Sequence, residues 1–111
     1  MKTLLIAFTL FTSVFGLHDK TATVKVWGNC GMCKARIEKA LKIDGVTKAD
    51  WNVDTKMLTV SYNTHVIGLD QIQQAVSAVG HDTEKFRADN AVYAKLANCC
   101  QYNREKEKSA N

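Results

Sequence analysis

The sequence predicts an α+β domain of six elements in the order strand, helix, strand, strand, helix, strand. Alternating apolar and polar side chains indicate the strands, and apolar residues at helical spacing indicate the helices. The first alternating segment is residues 21–27, in which Val24 and Val26 should face the core. Two glycines interrupt this pattern, and from Cys33 the apolar side chains recur along one helical face.

The rest of the domain repeats both patterns. Residues 49–53 and 58–62 alternate and are joined by a short polar turn, which predicts a β-hairpin. Residues 69–79 have helical periodicity, and Gly80 should end that helix. Residues 84–88 alternate more weakly and are predicted to form a fourth strand. This order is that of the ferredoxin-like βαββαβ fold, a four-stranded antiparallel sheet with both helices on one face.

The N-terminal segment is interpreted as a signal peptide that covers residues 1–16. Lys2 precedes an apolar run over residues 4–15, which is shorter than the ~20 residues that cross a bilayer. Small residues at the end of the run predict cleavage near Gly16. We therefore expect an exported mature chain that does not span the membrane, periplasmic or secreted according to the source.

The domain of residues 21–88 is followed by a C-terminal tail, residues 89–111. Apolar side chains at helical spacing over residues 91–102 predict a short amphipathic helix, which carries Cys99 and Cys100.

Length and charge exclude several functional classes. A chain of 111 residues is too short for a multidomain enzyme. Its net charge of +4 is mild and lacks the clustered Lys/Arg and stacking aromatics of nucleic-acid binders, so no nucleic-acid partner is expected.

The motif with the clearest chemistry is Cys30-Gly31-Met32-Cys33, between a predicted strand and a predicted helix. The helix N-terminus favours thiolate, the form that binds metal, and thiolates select soft ions. Two thiolates suit Cu(I) or Hg(II), whereas Zn(II) prefers four ligands, and Cd(II) shares the same ligand type. The same spacing also occurs in thioredoxin-like redox centres. Those centres normally carry a proline facing the thiols, and this chain contains no proline.

In this context the sequence resembles the heavy-metal-associated domain family, which includes small copper and mercury carriers and metal-binding modules of P-type ATPases. The similarity extends over residues 21–88 and is carried by residues 24–33, 37–41, 44–46, 69–72 and 75–80. It implies a metallochaperone in metal ion transport, not an enzyme, with a metal-transporting ATPase or another carrier as partner. The family pattern is Gly-Met-x-Cys-x-x-Cys, and Gly28 occupies the position of its methionine, a residue that generally supports the loop.

Three further side chains are candidate ligands. His81 follows Gly80, where family members often carry an aromatic residue near the metal, so it is either a third ligand or an ordinary loop histidine. Cys99 and Cys100 are either buried thiols, partners in a disulfide, or additional ligands that complete a site with Cys30 and Cys33. A tail that runs back along the domain would bring them to the motif.

Two functions from different classes remain open at this point. The favoured hypothesis is a carrier that binds Cu(I) through Cys30 and Cys33 and passes it on by thiolate exchange. It would act as a monomer or as a metal-bridged dimer. The alternative is a thiol–disulfide oxidoreductase that uses the same cysteine pair.

Overall fold

The computed structural model describes residues 19–104. The predicted signal peptide, residues 1–16, and the end of the tail, residues 105–111, lie outside the described residues. The elements in chain order are β1 (Asp19–Lys25), α1 (Gly31–Ala40), β2 (Val46–Trp51), β3 (Met57–Asn63), α2 (Leu69–Ala78), α3 (Asn90–Ala94) and a 3-10 turn (Asn98–Cys100). Within these residues, no helix is both long enough and apolar enough to cross a membrane.

The sheet has three antiparallel strands in the order β1-β3-β2. The central strand β3 pairs Leu58 with Val24 of β1 on one side and with Trp51 of β2 on the other. An irregularity between Val46 and Lys48 shifts the register at the start of β2.

A single core forms between the sheet and the helices α1 and α2. Alternation places every second strand residue inward, and the helical spacing aligns one apolar stripe on each helix. The fully buried strand residues include Val26, Leu58 and Val60, and they join Ile37 of α1 and Ile72 of α2 in one cluster. The predicted α+β class and the inward residues of the first strand are as expected.

The predicted fourth strand over residues 84–88 is wrong for the described part of the chain. The segment beside β1 forms only an isolated bridge between Val26 and Thr83. Beyond it the chain turns, because Thr83 donates its backbone N–H to the Phe86 carbonyl and accepts the Phe86 N–H on its hydroxyl. The Ala88 N–H is bound by the Asp82 carboxylate at 2.7 Å. Local partners therefore satisfy the groups that a strand ladder would need.

The predicted helix over residues 91–102 is also not found as one element. The structure has a five-residue helix, α3, and a separate 3-10 turn at Asn98–Cys100. Leu96 packs against Gly80, and the Tyr102 hydroxyl binds the Gly80 carbonyl at 2.8 Å. In one helix these two side chains would be ~9 Å apart along the axis and on different faces, so both contacts require the helix to break.

Candidate metal centre

Cys30 and Cys33 lie at the N-terminus of α1. Cys30 is the N-cap residue and Cys33 is the third residue of the helix, which begins two residues earlier than the sequence predicted. Their Sγ atoms are 3.8 Å apart. Cys33 is fully buried, whereas Cys30 is half-buried, so one sulfur is fixed in the core and the other faces outward.

The start of α1 also sets the electrostatics of the two thiols. The thiolate of Cys30 interacts with the backbone N–H of Cys33 and then with that of Met32, and the pKa of Cys30 falls from 9.0 to about 7. The Asn29 N–H donates to the Cys33 sulfur over 3.4 Å. Backbone amides at the helix N-terminus thus favour the thiolate of Cys30, the form that binds metal.

The tail brings Cys99 and Cys100 to the same place. The Cys100 Sγ is 4.0 Å from the Cys30 Sγ and 3.9 Å from the Cys99 Sγ. The three sulfurs of Cys30, Cys99 and Cys100 all lie within 4.8 Å of one another. All four cysteines are free thiols. Of the three interpretations of the tail pair, a disulfide among these cysteines is therefore not what this structure contains.

The two tail thiols have different environments. Cys100 is fully buried, and burial is the main cause that raises its pKa, so it keeps its proton until a cation replaces it. Cys99 is exposed, and its thiol donates to the Sδ of Met32 over 3.3 Å. Met32 is itself 54% exposed. Spacing alone could not reveal this contact, because it joins residues 67 positions apart.

His81 is fully buried, but it does not join the group of sulfurs that lie within 4.8 Å of one another. Its Nδ1 is 2.9 Å from the Trp27 carbonyl oxygen, an acceptor, so Nδ1 carries the proton. The ring stacks on Tyr102 with 5.6 Å between ring centroids. Burial is the main cause that lowers the His81 pKa, which favours the neutral ring. The structure therefore places His81 between Trp27, which precedes the loop of residues 28–33, and Tyr102 of the tail.

The absence of a side chain at Gly28 is explained by Trp51. The indole ring is fully buried and donates its Nε1–H to the Val26 carbonyl at 2.9 Å. A Cβ at position 28 would lie 3.0 Å from the Trp51 ring and 3.1 Å from the Cys33 Cβ. The ring of Trp51 thus packs under the loop at the position where the family pattern has a methionine.

Three residues that the sequence did not single out hold the tail against the domain. Arg104 makes a bidentate ion pair with Asp82, with Nε and NH2 each 2.9 Å from a carboxylate oxygen, and both side chains are only 8% exposed. The Tyr102 hydroxyl accepts the Asp82 N–H and donates to the Gly80 carbonyl, both at 2.8 Å. No short motif announces these contacts, because each joins residues about twenty positions apart.

The possible ligand atoms that lie together here are soft sulfur donors. Among the described residues, no carboxylate oxygen belongs to the group within 4.8 Å. Such a donor set discriminates against Mg(II) and Ca(II), which take oxygen ligands, and suits thiophilic ions.

Comparison with known proteins agrees with this geometry. The family model of the heavy-metal-associated domain matches residues 29–82. The copper chaperone CopZ of Staphylococcus aureus is 38% identical over 55 residues, which is 49% of this chain and 81% of that protein. A copper-exporting P-type ATPase of Staphylococcus saprophyticus is 33% identical over 78 residues, which is 68% of this chain but only 10% of the ATPase.

Among solved structures, a CopZ metallochaperone superimposes with a TM-score of 0.56 at 35% identity. The superposition covers 58% of this chain and 98% of that one. The match to the family model ends at residue 82, before the tail with Cys99 and Cys100. On the family model, on these relatives and on the strand–CxxC–helix geometry, the chain belongs to the heavy-metal-associated domain family.

Proposed function

We propose that this protein is a carrier that binds a soft metal ion through Cys30 and Cys33, with Cu(I) as the favoured ion and Hg(II), Zn(II) and Cd(II) as alternatives. The observation that carries the proposal is the pair of sulfurs 3.8 Å apart at the N-terminus of α1. The lowered pKa of Cys30 makes its thiolate available near neutral pH. The two relatives that this chain resembles are named as a copper chaperone and a copper-exporting ATPase.

The same geometry supports transfer by thiolate exchange. An incoming thiolate binds the ion while the bond to one of the two cysteines breaks, so the ion is never released to water. Cys30 is the half-buried member of the pair and is the sulfur that a partner reaches first, whereas Cys33 is buried. We propose a metal-transporting ATPase or another carrier with a similar domain as the acceptor.

The binding test uses the reduced protein with Cu(I) under anaerobic conditions and metal analysis after gel filtration with light scattering. We expect one ion per monomer for the native chain and none for Cys30→Ser/Cys33→Ser. Met57→Leu, which removes a sulfur on the side of β3 that faces away from the core, is the control and should bind as the native chain does. Full binding by the double serine variant would refute the proposal, and half an ion per chain at doubled mass would indicate a metal-bridged dimer.

The alternative function is tested in the same preparation. A thiol–disulfide oxidoreductase would reduce insulin with multiple turnovers in the presence of a thiol reductant, and that turnover would depend on Cys30. The carrier predicts only stoichiometric thiol reaction.

We further propose that the carrier acts in an exported compartment, on the basis of the sequence of residues 1–16. N-terminal sequencing of the protein isolated from its source should give a mature chain that begins near Leu17. A chain that keeps residues 1–16 in the cytosolic fraction would contradict export.

A further inference from the structure

The tail places two more sulfurs against the motif. The Sγ of Cys100 is 4.0 Å from that of Cys30, and the Sγ of Cys33 is 3.8 Å from that of Cys30. Cys30 thus contacts sulfurs from α1 and from the 3-10 turn at Asn98–Cys100, the two elements that meet here.

The sulfur separations favour more than two ligands. With a metal–thiolate bond of ~2.3 Å, two sulfurs on opposite sides of an ion are ~4.6 Å apart, those of a planar three-coordinate site ~4.0 Å, and those of a tetrahedron ~3.8 Å. The observed separations of 3.8 and 4.0 Å match the edges of a three- or four-coordinate site. Cys33 lies outside the group of sulfurs within 4.8 Å of one another, so a shift of its side chain towards Cys100 would centre one ion among Cys30, Cys33 and Cys100.

Burial divides the sulfurs into two layers. Cys33 and Cys100 are completely buried and Cys30 is half-buried, so these three form an inner set. Cys99 and Met32 are exposed and contact each other, so they form an outer pair on the solvent side.

The tail is held in this position without help from its sulfurs. The Asp82–Arg104 ion pair and the two hydrogen bonds of the Tyr102 hydroxyl fix it to residues 80–82. Tyr93 adds an edge contact to the Tyr102 ring, with 5.0 Å between centroids. Because none of these contacts involves a sulfur, the fold itself holds Cys100 beside the motif, and little ordering entropy opposes its ligation.

We propose that Cys100 is the third thiolate of the metal site and that Cys99 and Met32 form an outer sulfur pair through which the ion enters and leaves. This inference rests on the proposed function, since it requires Cys30 and Cys33 to bind the ion. It assigns to the tail a role in the site itself, and it specifies a three-thiolate site for a soft ion such as Cu(I).

The coordination number is measured by X-ray absorption of the Cu(I)-loaded protein. We expect three sulfur ligands in the native chain and in Cys99→Ser, and two in Cys100→Ser and Cys100→Ala. Competition with a chromogenic Cu(I) chelator should show affinity at least ~10-fold lower for both Cys100 variants, because losing even a residue that supports a ligand costs that much.

The outer pair is tested by the rate at which the same chelator in excess removes Cu(I). Cys99→Ser and Met32→Leu should slow removal several-fold and leave three sulfurs around the ion. Met57→Leu is the matched control for loss of a thioether.

The outcomes distinguish failure of the three-thiolate site from failure of the carrier function. Two sulfur ligands in the native chain, or unchanged coordination in both Cys100 variants, would overturn the three-thiolate site and leave the carrier function intact. Four sulfurs in the native chain, or unchanged removal rates in Cys99→Ser and Met32→Leu, would overturn the outer pair. Binding that survives in Cys30→Ser/Cys33→Ser would instead refute the carrier function.

Discussion

Because Gly28 has no side chain, neighbouring side chains can pack closely against the loop of residues 28–33. Gly28 leaves room for the edge of the Trp51 ring and for the Cβ of Cys33. The loop is therefore buttressed by an indole from β2 in place of a side chain of its own. This arrangement couples residue 28 to residue 51, so the two positions should be substituted together.

Gly28→Ala should destabilise the metal-free protein by about 1–3 kcal/mol, because the new methyl group overpacks a rigid, buried contact. Gly31→Ala in the same loop is the matched control. A Cβ there meets nothing within 4 Å and lies in the first turn of α1, where alanine is favoured over glycine. Urea unfolding measures both variants, and equal stability of the two would contradict the packing account.

At this scale the sequence predicts some of the site but not all of it. Cys30 and Cys33 could be identified because their spacing and the helix that follows are local features. The choice among the alternatives for Cys99 and Cys100 could not be made, because it depends on where a tail lies in space. The contact between Met32 and Cys99 and the packing of Trp51 on Gly28 also depend on tertiary structure, so local spacing does not predict them.

Among the elements, the tail is attached by the most specific contacts. The 3-10 turn that carries Cys100 makes few hydrogen bonds of its own, and its position depends on the buried ion pair and on Tyr102. A buried ion pair that loses one partner leaves an uncompensated charge, which is far more costly than the loss of an exposed pair.

Arg104→Met should therefore destabilise the protein by about 3–5 kcal/mol and expose residues 89–104 to proteolysis. Lys85→Met removes the exposed ion pair with Asp70, whose side chains are 60% and 55% exposed, and should cost no more than ~1 kcal/mol. Asp82→Asn/Arg104→Met should recover part of the loss, since no carboxylate is then left unpaired. Similar unfolding free energies for the two single variants would show that the buried pair does not fasten the tail.

The elements of the domain differ in how well their periodicity predicts them. Residues 49–53 and 58–62 were predicted as a hairpin, and β2 and β3 form it within a few residues of those bounds. The predicted strand over 84–88 fails because Thr83 and Asp82 satisfy the backbone with their side chains. The predicted helix over 91–102 fails because tertiary contacts of Leu96 and Tyr102 prevail over helical spacing.

For the molecule as a whole, metal binding and folding are linked. The candidate ligands come from the start of α1 and from the tail, so an ion bound among them would connect these two distant parts of the chain. An ion that binds the folded state more tightly than the unfolded one stabilises it in proportion to the logarithm of its free concentration.

Cu(I) at a free concentration of about 100 times its dissociation constant should stabilise the fold by ~2.7 kcal/mol, less whatever binding the unfolded thiols retain. For a domain of this size the corresponding rise in Tm is about 10 °C or more. Removal of the ion by a chelator should reverse the rise. Differential scanning calorimetry with Cys30→Ser/Cys33→Ser as control measures it, and an equal rise in that variant would show that the stabilisation comes from elsewhere.

The Asp82–Arg104 pair makes a ring of the chain between them without any covalent bond. Small exported domains with four cysteines often close such rings with disulfides, and each disulfide would consume two of the sulfurs that this site presents. Here charge closes the ring, and all four thiols stay free. The fastening of the tail is therefore independent of the redox chemistry of its cysteines, and every thiol stays available to the ion.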